Sequence, residues 1–124
     1  MRILVAEDNA DSAISLAMLL RLYGHEVEIA ADGTAALNKA RNYAPDVVIM
    51  DIGLPKIDGL AVARQLVPAG AGKPFLIAMT GYGTSEDRQR CADAGFDLHL
   101  LKPADPESLR VILQQYRQTL RLAD

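Results

Sequence analysis

Four short stretches of this chain place charged or hydroxyl side chains directly after apolar runs, and their chemistries are complementary. Glu7-Asp8 follows Ile3-Leu4-Val5-Ala6, Asp51 follows Val47-Val48-Ile49-Met50, Thr80 follows Phe75-Leu76-Ile77-Ala78-Met79, and Lys102-Pro103 follows Leu98-His99-Leu100-Leu101. Taken singly, each has an ordinary explanation. Asp8 or Asn9 caps a helix, Asp51 opens a turn before Gly53 and Pro55, Thr80-Gly81 is a common loop pair, and Lys before Pro ends a strand. Taken together they ask for more. Three carboxylates gathered in one place repel, each pair by ~1 kcal/mol at ~4 Å in water and by up to ~4 kcal/mol at an effective dielectric near ~20. A hard divalent cation such as Mg²⁺, bound through oxygen, accounts for such a cluster. A hydroxyl and an ammonium beside it suit the remaining oxygens of a phosphoryl group.

Whether these residues meet depends on the elements that carry them. The five apolar runs alternate with helical patterns, the second run being Val27-Glu28-Ile29-Ala30. Runs one, three and four are apolar throughout, as strands are when helices cover both faces of a parallel sheet. The second and fifth carry a polar residue and read as sheet edges. From Asp8 or Asn9 the chain places Ala13, Leu16, Ala17 and Leu20 on one helical face and stops at Gly24. Asp32-Gly33 opens a second helix that ends before Pro45, and a third runs from about Gly59 to Leu66. Thr84 with Asp87 resembles a capping box for a fourth, ended by Gly95. Asp105 as N-cap and Pro106 start the fifth, with Leu109, Ile112, Leu113, Tyr116 and Leu120 on one stripe. This helix is expected to continue almost to Asp124, without room for an output domain, so that residues 1–124 form one domain.

Five β-α units of this length predict a doubly wound, flavodoxin-like α/β fold. It has a five-stranded parallel sheet in the order 2-1-3-4-5 and five helices. Ligands in such sheets sit outside the carboxyl ends of the strands, beside the switch in strand order between the first and third. That edge is where Glu7, Asp8, Asp51, Thr80 and Lys102 fall.

Bulk properties narrow the setting. The 124 residues suffice for one domain burying ~65–70% of its unfolded surface. Half the residues are hydrophobic and 23% charged, a globular composition that excludes disorder. A net charge of −3, with scattered basic residues, gives no electrostatic reason to expect nucleic acid or an anionic membrane as a partner. No apolar stretch approaches the ~18 residues of a membrane span, and the N-terminus reads into a strand, not a signal peptide. The lone Cys91 cannot form an internal disulfide and has no flanking base to activate it, which suits a reducing cytoplasm.

The residues also support a resemblance. The stretches Ile3 to Asn9, Met50 to Gly59 (Met-Asp-Ile-Gly-Leu-Pro-Lys-Ile-Asp-Gly), Met79-Thr80-Gly81 and Leu101-Lys102-Pro103 resemble, in order and spacing, the receiver family of two-component signalling. That family includes single-domain chemotaxis regulators and the receivers of hybrid histidine kinases. The resemblance covers the whole chain and implies a switch rather than an enzyme. Asp51 would attack a phosphohistidine on a histidine kinase or histidine phosphotransfer protein. Asp8 and Asp51 would ligate Mg²⁺, with Glu7 acting through a water and Gly53 through its backbone carbonyl. Thr80 would hydrogen-bond the phosphoryl group and Lys102 would pair with it. A downstream effector would read the face made by the fourth helix, fifth strand and fifth helix. The Lys102-Pro103 bond is often cis in the family.

Four departures qualify the match. Glu7 replaces the commoner Asp, a mild change. Gly53 has no side chain to shield an aspartyl phosphate or direct a water. Gly81-Tyr82 resembles the hybrid-kinase type and leaves the phosphoryl lifetime open. His99 stands where the family has Tyr or Phe; it is either a half-exposed edge-strand residue or the switch side chain that moves with Thr80. The fourth helix, burying only Cys91, Ala92 and Ala94, is the expected mobile face. Rival classes fit less well. An aspartyl-phosphate hydrolase needs an acid/base Asp where Gly53 stands, and an FMN binder needs a phosphate loop where Glu7-Asp8-Asn9 would repel phosphate. A receiver acting without phosphorylation is disfavoured by the intact Asp51-Thr80-Lys102 set.

Overall fold

The computed structural model of the protein describes residues 1–67, 73–81 and 83–123. Its elements alternate strictly: β1 (Arg2–Ala6), α1 (Ala10–Leu22), β2 (Glu26–Ala30), α2 (Gly33–Tyr43), β3 (Val47–Asp51), α3 (Gly59–Leu66), β4 (Phe75–Thr80), α4 (Ser85–Ala94), β5 (Leu98–Leu101) and α5 (Pro106–Ala123). The strands form one parallel sheet in the order β2-β1-β3-β4-β5, as the strand spacing predicts.

The buried apolar side chains of the three central strands pack against helices on both faces of the sheet. On one face Leu4, Ala6, Val48, Met50, Leu76 and Ala78 pack against α2, α3 and α4. On the other, Ile3, Val5, Val47, Ile49, Ile77 and Met79 pack against α1 and α5. The helices start where a side-chain oxygen meets an unpaired N–H. Asn9, Asp32, Asp58, Thr84 and Asp105 each accept a hydrogen bond from the backbone three residues on, at 2.8–3.1 Å. Gly24 and Gly95 follow α1 and α4 with positive φ, and Ala44 closes α2 in the left-handed region.

One detail differs from the sequence reading. Ala92 is exposed, so α4 buries only Cys91 and Ala94. The helix therefore rests on the sheet through even less apolar surface than its pattern suggests. Tyr82 lies outside the described residues, as does Asp124. Among the described residues no helix is long and apolar enough to cross a membrane.

Candidate functional site

The register of the sheet brings the strand ends level. Ala6 of β1 pairs with Ala30 and Met50, Asp51 with Met79, and Thr80 with Leu101. The next residue in each chain segment thus emerges at the same edge, and Glu7, Asp8, Asp51, Thr80 and Lys102 come together there. Lys102 is further tied to β4 by its backbone N–H, which donates to the Thr80 carbonyl at 2.9 Å. The Lys102-Pro103 bond is cis.

One carboxylate oxygen from each of Glu7, Asp8 and Asp51 lies within 4.8 Å of the others. Glu7 is buried, 3% exposed, whereas Asp8 is exposed. Into this cluster reaches the Lys102 ammonium. Nζ donates to Glu7 Oε2 at 2.6 Å and to Asp51 Oδ2 at 2.7 Å. Burial by itself pulls the lysine's pKa down, but the hydrogen bonds to Asp51 and Glu7, with their negative charge, outweigh it and hold the pKa above its ordinary value. The remaining Asp51 oxygen, Oδ1, accepts the Gly53 N–H at 2.9 Å, and Glu7 Oε1 accepts the Asn9 N–H at 3.2 Å. Thr80, 4% exposed, completes the edge at the end of β4.

The donor set fits a hard cation. It is all oxygen, carries three negative charges against one ammonium, and lies at the mouth of a groove. That groove, of about 610 Å³, runs between α1 and the segment after β5, past Leu16, Leu19, Met79, Lys102 and Pro103.

The fold and its edge define a doubly wound α/β protein with an acidic site at the carboxyl ends of its strands, and comparison with known proteins makes the class specific. Residues 3–114 match the family model described as the response regulator receiver domain. Response regulator MprA from Mycobacterium sp. (strain KMS) is 38% identical over 120 residues, covering 97% of this chain and 50% of that protein. A CheY-like response regulator receiver domain protein from Methanospirillum hungatei JF-1 superposes with a TM-score of 0.90 at 28% identity, covering 99% of this chain and 98% of that one. The receiver domain of a sensor histidine kinase from Pseudomonas aeruginosa PAO1, solved with a magnesium ion coordinated in its active site cleft, gives 0.83 at 33% identity, covering 92% and 94%. The chain belongs to the response regulator receiver domain family. It spans about half the length of the curated relatives it matches.

His99 stands on the edge strand β5 and is half-buried, as the plainer reading of the sequence has it. On β5 it faces α4, where a small cavity of about 90 Å³ is lined by Arg88, Cys91, Phe96 and His99 itself. The residue is half-buried, yet both ring nitrogens are shut from solvent and find no hydrogen-bond partner among the described residues. Burial, and to a lesser degree the Arg88 charge, pushes its pKa below the usual value, with Asp87 opposing.

Two glycines that the sequence suggests only as helix openers hold the acceptor loop in place. A Cβ on Gly59 would stand 2.7 Å from both the Asp51 carbonyl oxygen and Ile52 Cα. One on Gly33 would collide with the Ile57 carbonyl at 1.6 Å, and the Gly33 N–H donates to the Pro55 carbonyl at 3.0 Å. The Asp-Gly pairs at 32–33 and 58–59 were the available signal. The close approach between α2, α3 and the 52–57 loop is a tertiary fact that no local pattern carries.

Proposed function

We propose that the chain accepts a phosphoryl group on Asp51 from a phosphohistidine of a histidine kinase or phosphotransfer protein, and that the resulting charge resets its surface. The observation that carries this reading is the Asp51 carboxylate itself. It sits at the centre of the sheet edge, 2.7 Å from the Lys102 ammonium and within 4.8 Å of two further carboxylates. An Asp51 oxygen attacks phosphorus, the new O–P bond forms as the N–P bond breaks, and the electron pair returns to the donor's imidazole. Each Asp51 oxygen accepts one hydrogen bond, Oδ2 from the Lys102 ammonium and Oδ1 from the Gly53 N–H, and each keeps a further lone pair with which to attack.

A divalent cation such as Mg²⁺, held by Asp8, Asp51 and the Gly53 carbonyl with Glu7 nearby, would neutralise charge on the phosphoryl oxygens. The magnesium in the Pseudomonas receiver supports this choice. Lys102 and Thr80 bind the oxygens that remain. Gly53 cannot move a proton, which argues against a hydrolase reading.

The donor docks over the groove beside α1, since that groove opens onto the site. The effector reads α4, β5 and α5, where Leu98, Leu101 and Val111 are exposed and α4 is lightly anchored. Residues 1–124 act as one receiver unit, working in a reducing cytoplasm and binding neither nucleic acid nor membrane directly. Intact mass after acetyl phosphate with Mg²⁺ tests the core of the proposal. One phosphoryl group is expected on the wild type and none on Asp51→Asn. Equal labelling of the variant would overturn the assignment, and an unlabelled wild type would favour a receiver that works without phosphorylation.

A further inference from the structure

The Lys102 ammonium places a positive charge of the protein's own among the carboxylates. Both oxygens of Asp51 and both oxygens of Glu7 are already engaged, and Lys102 is the partner they share. A cation that takes an Asp51 oxygen from Lys102 must also contend with the contact holding that lysine to Glu7.

The glutamate's length matters here. With Oε1 pinned by the Asn9 N–H at 3.2 Å, the side chain spans to Lys102 and meets it at 2.6 Å. An aspartate on the same backbone is shorter by one C–C bond, ~1.5 Å. It could keep the Asn9 N–H or reach toward Lys102, but a gap of about 4 Å on one side lies outside hydrogen-bond range. Glu7 is buried, so water does not readily substitute for the lost contact.

We propose that Glu7 is a positioning residue that clamps Lys102 onto Asp51 in the resting site. The Lys102 ammonium then acts as an internal competitor of the divalent cation, and the length of the residue-7 side chain sets the cation concentration at which the site fills. This rests on the cation site proposed above. It adds to Glu7 a role exerted through Lys102, distinct from any contact with a metal-bound water.

The test is calorimetric Mg²⁺ binding to the full chain in a four-protein cycle: wild type, Glu7→Asp, Lys102→Met and the double variant. Replacing the lysine should tighten Mg²⁺ by itself. Glu7→Asp should tighten Mg²⁺ by about threefold or more when Lys102 is present, near the low end of couplings between touching groups, and should give no tightening in the Lys102→Met background. An effect of Glu7→Asp that is the same in both backgrounds overturns the clamp, since a purely structural or water-mediated role does not depend on Lys102. Weaker binding by Glu7→Asp with Lys102 in place overturns it too. If Lys102→Met folds poorly, Lys102→Gln supplies the neutral background. Absence of Mg²⁺ binding by the wild type is a separate failure, because it removes the cation site on which the clamp depends.

Discussion

Replacing Lys102 by methionine keeps the aliphatic stem and removes the ammonium that faces Glu7 and Asp51. At 2.6 and 2.7 Å each contact has a gross Coulomb energy of ~6 kcal/mol at an effective dielectric of ~20 and ~1.6 kcal/mol in water. The net effect is smaller, because desolvation offsets much of it. Stripping one partner from a buried pair costs ~3–5 kcal/mol, since the other charge is left buried alone. Here the Glu7 side chain is 3% exposed, but Asp51 is 16% and Lys102 32% exposed, so solvent screens part of the loss. The expected destabilisation of the metal-free protein at pH 7 is thus ~2–4 kcal/mol, or roughly 10 °C in Tm for a domain of this size. Saturating Mg²⁺ should return much of it, because a ligand at ~100 times its Kd contributes ~2.7 kcal/mol. Differential scanning calorimetry with EDTA and then with Mg²⁺ makes both measurements on one sample. A Tm within ~1 °C of wild type in EDTA would show that the lysine does not offset the carboxylates. A Mg²⁺ gain no larger than the wild type's would show that cation and ammonium do not exchange roles.

Asp8→Asn should raise the metal-free Tm and abolish the Mg²⁺ gain. Because Asp8 is exposed, the rise should be only ~1 kcal/mol, the water-like limit of repulsion at this spacing, and an unchanged or lowered Tm would speak against strain in the cluster. Gly59→Ala should destabilise the fold by ~1–3 kcal/mol and slow labelling of Asp51, since its methyl presses on the Asp51 carbonyl; normal labelling would show that the loop yields elsewhere. His25 and His99 both have depressed pKa values, burial being the main cause in each. The unfolded chain therefore binds more protons, and stability should be fullest above pH ~6.5 and fall as pH drops from there toward the folded pKa values, by ~1.4 kcal/mol for each unit of separation. Urea denaturation of wild type and of His25→Asn/His99→Phe between pH 7.5 and 5 should show a slope only in the former, and matching slopes would return both rings to solvent.

Much of the site could be read along the chain because its residues sit next to the features that define the strands. A run such as Val47–Met50, buried on both faces, announces a central parallel strand, and the polar residue ending it must then emerge at the carboxyl edge. The caps were legible for the same reason. Asn9, Asp32, Thr84 and Asp105 satisfy donors three residues away, so their action is local, and Asp58 caps α3 in the same way although the sequence reading starts that helix only at about Gly59. What depends on distant segments was not legible. The partners of Lys102 are 95 and 51 residues away, and its choice of Glu7 and Asp51 follows from the register of four strands. The contact of Gly59 with the Asp51 backbone, the exposure of Ala92 and the orphaned nitrogens of His99 likewise depend on how α3 and α4 settle on the sheet. Residue types and local spacing determined which groups stand at the strand ends. Only tertiary packing, which sets distances to a fraction of an ångström in a charged and partly buried edge, decided which of those groups hold one another.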